Sequence, residues 1–305
     1  MTVNELIRRG GAYLEEHGAA ALGEDKPIAV ARQLLSGLLD CSPLSLRLTA
    51  HTSVDHLIRE RFDAGIRRYT MGEPLAYILG YTWFYGMKIG VGPGVLIPRP
   101  DTEVLVERGV NLLASMTDKC KSHVPTVLEL CTGTSCVSLA LRERWKKPIN
   151  LVATDVSEEA LMYAQYNIAQ YSAADDIELY RGDLFEALPH RYNPKQTNEF
   201  AGFDLILVNP PYIQTSVIPT LAVGVKDYEP ALALDGGSEG ISFYHRLWEE
   251  ADTFLKSSGY LLMEHGYDQK QKLVELFLSD GRWQEVIDFP DLAGRDRILQ
   301  VRKQI

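Results

Sequence analysis

Apolar residues in the first eighty positions recur three and four apart. This holds in "VNELIRRGGAYLEEHG", "IAVARQLLSGLLD" and "VDHLIRERFDAGIRRYTMG", and none of these segments alternates as a strand would. Pro27, Pro43 and Pro74 fall between the segments, where helices start or stop. The spacing predicts a small helical bundle over residues 1–80. The next stretch, "YILGYTWFYGMKIGVGPGVLIPRPDTE", is aromatic, glycine-rich and bounded by proline. It predicts a β-hairpin running into an extended arm, a connector over residues 81–100. From about Asp101 the rhythm becomes strand, glycine turn, helix: "TVLELCTGTS" before "CVSLALRERW", then "INLVATDVS" before "EEALMYAQYNIAQ". "IELYRGDLFEAL", "FDLILVNPPY", "ISFYHRLWEEADTFL", "GYLLMEHG" and "QKQKLVELFLS" continue it. Such alternation predicts an α/β fold over residues 101–305, a doubly wound, mostly parallel sheet with helices on both faces. The last two strands, "WQEVIDFPD" and "RDRILQVRK", predict an antiparallel edge hairpin. "PHRYNPKQTNEFAG" is polar and proline-bearing and reads as a surface insertion.

Composition adds bounds. A chain of 305 residues with 46% hydrophobic and 24% charged residues reads as globular, and its length favours two domains. The formal charge is −10, and it is uneven: residues 1–80 carry nine Lys/Arg against ten Asp/Glu, leaving 22 against 31 for the remainder. A catalytic part so acidic argues against a groove that tracks nucleic-acid phosphates, so no DNA partner is expected. Cys41, Cys120, Cys131 and Cys136 show no CxxC spacing, which suits reduced thiols and suggests no metal site. The N-terminus lacks the apolar core of a signal peptide, and no apolar run reaches the ~18 residues of a membrane span. A cytoplasmic monomer without membrane contact is expected.

In a doubly wound sheet, ligands sit beyond the carboxyl ends of the strands. After the first strand stands Glu129-Leu130-Cys131-Thr132-Gly133-Thr134-Ser135-Cys136, a small-residue turn that lets a ligand approach the backbone. It is neither a P-loop, since the lysine is missing, nor a full GxGxxG, and an ordinary tight turn is an open alternative. Asp155 closes the second strand, where a carboxylate can accept both hydroxyls of a ribose; capping the helix that starts near Ser157 is the other reading. Asp183, Leu184 and Phe185 end the third strand and offer an apolar edge for an adenine, or a plain surface turn. Together these describe a nucleoside cofactor without phosphates, and S-adenosyl-L-methionine fits.

The fourth strand, "FDLILV", runs into Asn209-Pro210-Pro211-Tyr212. Two prolines end its pairing and stiffen the chain. Asn209 Oδ1 and the Pro210 carbonyl can each accept one N–H of a planar –NH2, Pro211 helps to fix that carbonyl, and Tyr212 can stack on the flat group. Such a clamp serves enzymes that methylate exocyclic amines of bases and enzymes that methylate glutamine amides.

Further strings narrow the choice. "GEPLAYILGYTWFYGMKIGVGPGVLIPRPDTEVLVE", "NPPYI", "YEPALALDGGSEGISFYHRL", "GYDQ" and "DLAGRDRIL" run nearly end to end. In these the chain resembles the HemK/PrmC-type peptide chain release factor glutamine methyltransferases. The arm Arg99–Glu103, "RPDTE", favours release factor over ribosomal protein as substrate. The resemblance implies a class I S-adenosylmethionine-dependent methyltransferase of Rossmann-like fold, preceded by a helical domain that docks class 1 release factors. It implies methylation of the glutamine of the GGQ motif, held by Asn209, Pro210, Pro211 and Tyr212. Thr132, Gly133, Thr134, Ser135, Cys136, Asp155, Leu184 and Asn209 would line the cofactor.

Two residues depart from that family's pattern. Ser135 replaces the last glycine of the turn, and His265 in "MEHG" stands where isoleucine is usual. A serine tolerated there is expected to keep a negative φ and so avoid strain. Two other readings stay open: an amino-methyltransferase acting on adenine or cytosine in nucleic acid, and a weakly catalytic scaffold that binds release factor.

Overall fold

In the computed structural model, which describes residues 1–18, 25–117 and 123–304, every apolar stripe of the first eighty residues is helical. Cys120 lies outside the described residues; Cys41, Cys131 and Cys136 are free thiols. The helices are α1 (Val3–His17), α2 (Pro27–Leu38), α3 (Ser45–Leu48), α4 (His56–Thr70) and α5 (Leu75–Leu79). Their ends follow from local chemistry. Thr2 and Glu5 form a reciprocal capping box on α1, Pro27 supplies the first turn of α2, and Asp55 caps α4 through the Leu57 N–H at 2.8 Å.

These helices bury one core of their own, with Leu6, Leu14, Leu34, Leu35 and Phe62 fully enclosed. Gly10 explains how close α1 and α4 come: a Cβ there would stand 2.6 Å from Cζ of Phe62. The compact unit that holds them comprises Met1–Thr82, Val91–Pro93 and Pro219–Pro230. The last segment, with a helical turn at Val223–Lys226, falls in the stretch that the sequence reading assigns to the catalytic part. It is tied in by the Tyr228 hydroxyl, which donates to the Met71 carbonyl at 3.1 Å, and by Val223, packed against Gly72.

The second unit comprises Trp83–Gly90, Gly94–Ile218 and Ala231–Ile305. The hairpin strands β1 (Tyr81–Phe84) and β2 (Met87–Gly90) pair with each other, as the sequence predicts. Helix α6 (Glu103–Thr117) follows the arm. A seven-stranded sheet comes next, with strands β3 (Thr126–Leu130), β4 (Asn150–Asp155), β5 (Ile177–Arg181), β6 (Phe203–Val208), β7 (Leu255–Glu264), β8 (Trp283–Pro290) and β9 (Asp296–Lys303). Between them run α7 (Cys136–Trp145), α8 (Glu158–Gln170), α9 (Ser242–Phe254) and α10 (Lys270–Leu278). The strand order is β5-β4-β3-β6-β7-β9-β8, parallel except at β9 and β8. This is the doubly wound fold expected from the alternation.

The last two strands form the antiparallel edge hairpin expected from the sequence, with an order that periodicity does not give. β9 lies between β7 and β8, so β8 alone forms that edge. The reason is burial: residues 297–301 of β9 are all buried, whereas β8 alternates toward solvent. The polar insertion Pro189–Gly202 is anchored by Tyr192 and Phe200, whose rings pack on Phe203 at 5.9 and 4.9 Å.

Phe62→Ala removes the ring that closes the helical core and should lower the unfolding free energy by about 3–5 kcal/mol. Denaturant titration checks this; an unchanged midpoint would show that the core closes without the ring.

Candidate active site

Ladder register brings four strand ends to one level. Leu130 faces both Thr154 and Val208, and Val208 faces Met263. The next residues along, Asp155, Cys131, Asn209 and Glu264, therefore form one row across the carboxyl edge. Strand order reverses between β3 and β6, the place where such sheets open a crevice.

On one side of that point is the turn from Cys131 to Cys136. Cys131, Gly133 and Ser135 all have left-handed backbone, at φ 55, 55 and 61. The expected negative φ at Ser135 is thus wrong. The Ser135 N–H donates to the Thr132 carbonyl at 2.8 Å, while its own carbonyl accepts the Leu139 N–H at 3.0 Å. Both flanking peptide planes are fixed, the first by the turn and the second by helix α7, and only a left-handed residue joins them. Serine carries the strain that a glycine would lack. Its hydroxyl is fully buried and has no partner among the described residues.

Asp155 holds the turn to β4. Its Oδ2 accepts the Gly133 N–H at 2.8 Å and its Oδ1 accepts the Ser157 N–H at 2.9 Å. The helix cap is Ser157 itself, whose hydroxyl accepts the Ala160 N–H. Burial raises the Asp155 pKa, and these backbone donors counter the shift. Each oxygen keeps a second lone pair for a ligand. Thr132 and Thr134 are buried beside Ser135. Leu184 is buried in the core under the third strand end, with φ 46, and Asp183 accepts Arg246 Nη1 at 3.0 Å. The Cys131 pKa is raised by burial first and then by Asp155 and Asp183, so these groups are neighbours. A carboxylate with spare lone pairs, an unpartnered buried hydroxyl and no lysine suit a nucleoside ligand without phosphates.

Glu129, fully enclosed below the turn, accepts both the backbone N–H and the hydroxyl of Ser138. Burial pushes its pKa from 4.5 up to about 7.

On the other side is Asn209, followed by the buried Pro210 and Pro211. Asn209 Nδ2 donates to Thr102 Oγ1 at 3.2 Å. The Tyr212 hydroxyl donates to Glu264 Oε1 at 3.3 Å, and burial raises the pKa of both Tyr212 and Glu264. Arg297, almost fully buried, supplies the balancing charge. It donates to the His265 carbonyl at 3.1 Å and lies 3.3 Å from both Asp101 and Asp291. Gln269 fixes the loop from behind: its Nε2 donates to the Tyr212 and Gly240 carbonyls at 2.9 and 3.0 Å, and its Oε1 accepts the Gly266 N–H. Gly240 has φ 73, and a Cβ there would meet the Tyr212 carbonyl at 2.5 Å, so this glycine is required by close approach.

The roles of Thr102, Glu264, Gln269 and Arg297 are invisible in the sequence alone. Each sits inside a quoted string, but a string does not tell which side chain turns inward. His265 is held by two polar partners. Its Nδ1 faces the Gly266 carbonyl at 2.8 Å and its Nε2 faces Asp288 Oδ2 at 2.6 Å, both side chains being enclosed. It joins the end of β7 to the edge strand.

Two outcomes follow from the turn. Ser135→Gly removes left-handed strain and an unpartnered hydroxyl, less the added chain entropy of glycine, and should stabilise by about 1 kcal/mol. Destabilisation in a thermal melt would mean that the hydroxyl has a partner after all. For Glu129, the folded state keeps a proton that the unfolded chain releases above about 4.5, so its contribution to stability falls as pH rises to about 7. Glu129→Gln should flatten the pH dependence of Tm across that window; an unaltered profile would show that Glu129 does not titrate there.

Comparison with known proteins agrees with this architecture. Residues 5–80 match the PrmC N-terminal domain, and residues 121–289 match a methyltransferase domain. The chain is 36% identical to a release factor glutamine methyltransferase of Thermodesulfovibrio yellowstonii, over 78% of this chain and 79% of that one. It is 34% identical to a release factor glutamine methyltransferase of Coxiella burnetii, over 90% and 91%. Among solved structures, the hMettl16 catalytic domain in complex with MAT2A 3'UTR hairpin 6 shares the fold, with TM-score 0.52 at 15% identity over 80% of this chain and 82% of that one. The chain belongs to the release factor glutamine methyltransferase family.

Proposed function

We infer that this chain methylates the side-chain amide nitrogen, N5, of the glutamine in the GGQ motif of class 1 peptide chain release factors. The observation that carries the reading is the Asn209 amide. It stands at the switch point, level with Cys131 and Asp155, and its Nδ2 donates to Thr102 Oγ1 at 3.2 Å. Its Oδ1 is thereby the atom left to accept an N–H from a substrate amide.

S-adenosyl-L-methionine, when bound, supplies a methyl group activated by its sulfonium. Asp155 would hold the ribose, the turn Thr132–Cys136 would take the amino-acid end, and Leu184 would flank the adenine. An amide nitrogen is a poor nucleophile because its lone pair is delocalised into the carbonyl. Asn209 Oδ1 and the Pro210 carbonyl, each accepting one N–H, would hold the nitrogen in place and stabilise the positive charge that grows on it. The prolines keep that carbonyl from turning away. Tyr212, anchored through Glu264, would stack on the amide plane. The proton lost from nitrogen passes to solvent.

Residues 1–80 would dock the release factor, and binding there would help to position the glutamine. The protein works as a cytoplasmic monomer without a DNA partner, and no helix among the described residues is long and apolar enough to cross a membrane. Methylation of adenine or cytosine would need a basic groove, whereas acidic residues outnumber basic ones 31 to 22 beyond residue 80.

Incubation with labelled S-adenosylmethionine and either release factor or DNA tests the substrate; label should appear on the GGQ glutamine and not on DNA. Asn209→Ala should lower turnover roughly 100-fold or more while cofactor affinity stays within several-fold. Near-normal turnover in that variant would sink the clamp.

A further inference from the structure

Arg8 on α1, Arg32 on α2 and Arg47 on α3 line one groove of the helical domain, about 420 Å³ in volume. Among the described residues none of their guanidinium groups has an ion-pair or hydrogen-bond partner, and no Asp or Glu lines the groove. Other cations of the same domain are neutralised, Arg9 by Asp63 and Arg68 by Glu73. Glu5 and Asp25 are engaged elsewhere, the first in the cap of α1 and the second by the Tyr69 hydroxyl. The groove therefore keeps a positive charge that the domain itself does not answer.

Between the arginines the floor is apolar. Val3, Ile7 and Leu46 are buried there, and Ile28 leaves 43% of its surface open. Leu44 and Leu48, 68% and 88% exposed, stand before and after Arg47 in the chain. One wall is fixed in advance: the Val3 N–H donates to the Thr52 carbonyl and the Asn4 N–H to the Ala50 carbonyl, both at 3.0 Å. Nucleic acid would call for an extended track of cations, yet residues 1–80 carry nine Lys/Arg against ten Asp/Glu. Arginines set around an apolar floor suit a protein segment that mixes carboxylates with apolar side chains. A guanidinium pairs with a carboxylate through two parallel hydrogen bonds, and arginine is enriched where protein surfaces meet.

We propose that this groove is the docking surface for the protein partner, and that it grips an acidic, partly apolar segment of the release factor through Arg8, Arg32 and Arg47. The inference rests on the reading of release factor as substrate, and adds which face docks and by what chemistry.

Binding and methylation are measured separately on the intact chain. Replacing all three residues, Arg8→Gln, Arg32→Gln and Arg47→Gln, should raise Kd for release factor in calorimetry about tenfold or more, with KM for its methylation rising in parallel. Arg8→Gln and Arg47→Gln singly, both at exposed positions, should each raise Kd about two- to fivefold, so the result does not hang on the folding of the triple variant. The Kd of the unaltered chain should weaken with added salt, and the triple variant should lose most of that dependence. Unchanged Kd in the variants, or a Kd indifferent to salt, would overturn the groove while leaving the methylation reading intact. Release factor that binds as described but takes up no label would do the reverse. An RNA oligonucleotide is titrated alongside. If it loses affinity in the triple variant while release factor does not, the groove belongs to nucleic acid and the proposal is overturned.

Discussion

Leu130 and Val208 stand opposite each other on neighbouring parallel strands, and the site depends on that register. Slipping a parallel pair by one residue would turn every side chain to the other face of the sheet. Here the pairing is pinned by burial on both faces: every residue of β6 is enclosed, and all of β3 after Thr126. The level ends that result bring a turn, two carboxylates and an amide into one row. No single motif could do this, because each strand contributes one end only.

Buried polarity is the cost of that row. Glu129, Glu264 and His265 are enclosed at or just below the sheet edge, and an unpaired buried charge is expensive. Each meets partners fixed by the fold: Ser138 for Glu129, Tyr212 for Glu264, Asp288 and a backbone carbonyl for His265. These contacts hold orientation more than they add stability.

Ser135 shows the same balance in the backbone. A left-handed serine costs about 1–2 kcal/mol, and here the turn keeps its conformation against that cost because hydrogen bonds on both sides specify it. The geometry of the turn therefore does not depend on having glycine at this position. This weighs against reading the serine as the mark of a protein that has lost its binding turn.

Periodicity was enough to read the helices of residues 1–80, the strand–helix alternation after Asp101 and the hairpin before it, because 3.6- and 2-residue repeats report local geometry and burial directly. The strand-end residues Asp155 and Asn209 were legible for the same reason: the ends of apolar runs can be counted. Three things were not. The insertion of β9 between β7 and β8 depends on which strand is apolar on both faces, a property of the assembled sheet. The sign of φ at Ser135 depends on two hydrogen bonds reaching into different elements. The pairings of Thr102 with Asn209 and of Tyr212 with Glu264 join residues 107 and 52 apart in sequence, and only tertiary packing brings side chains so far apart within hydrogen-bond reach.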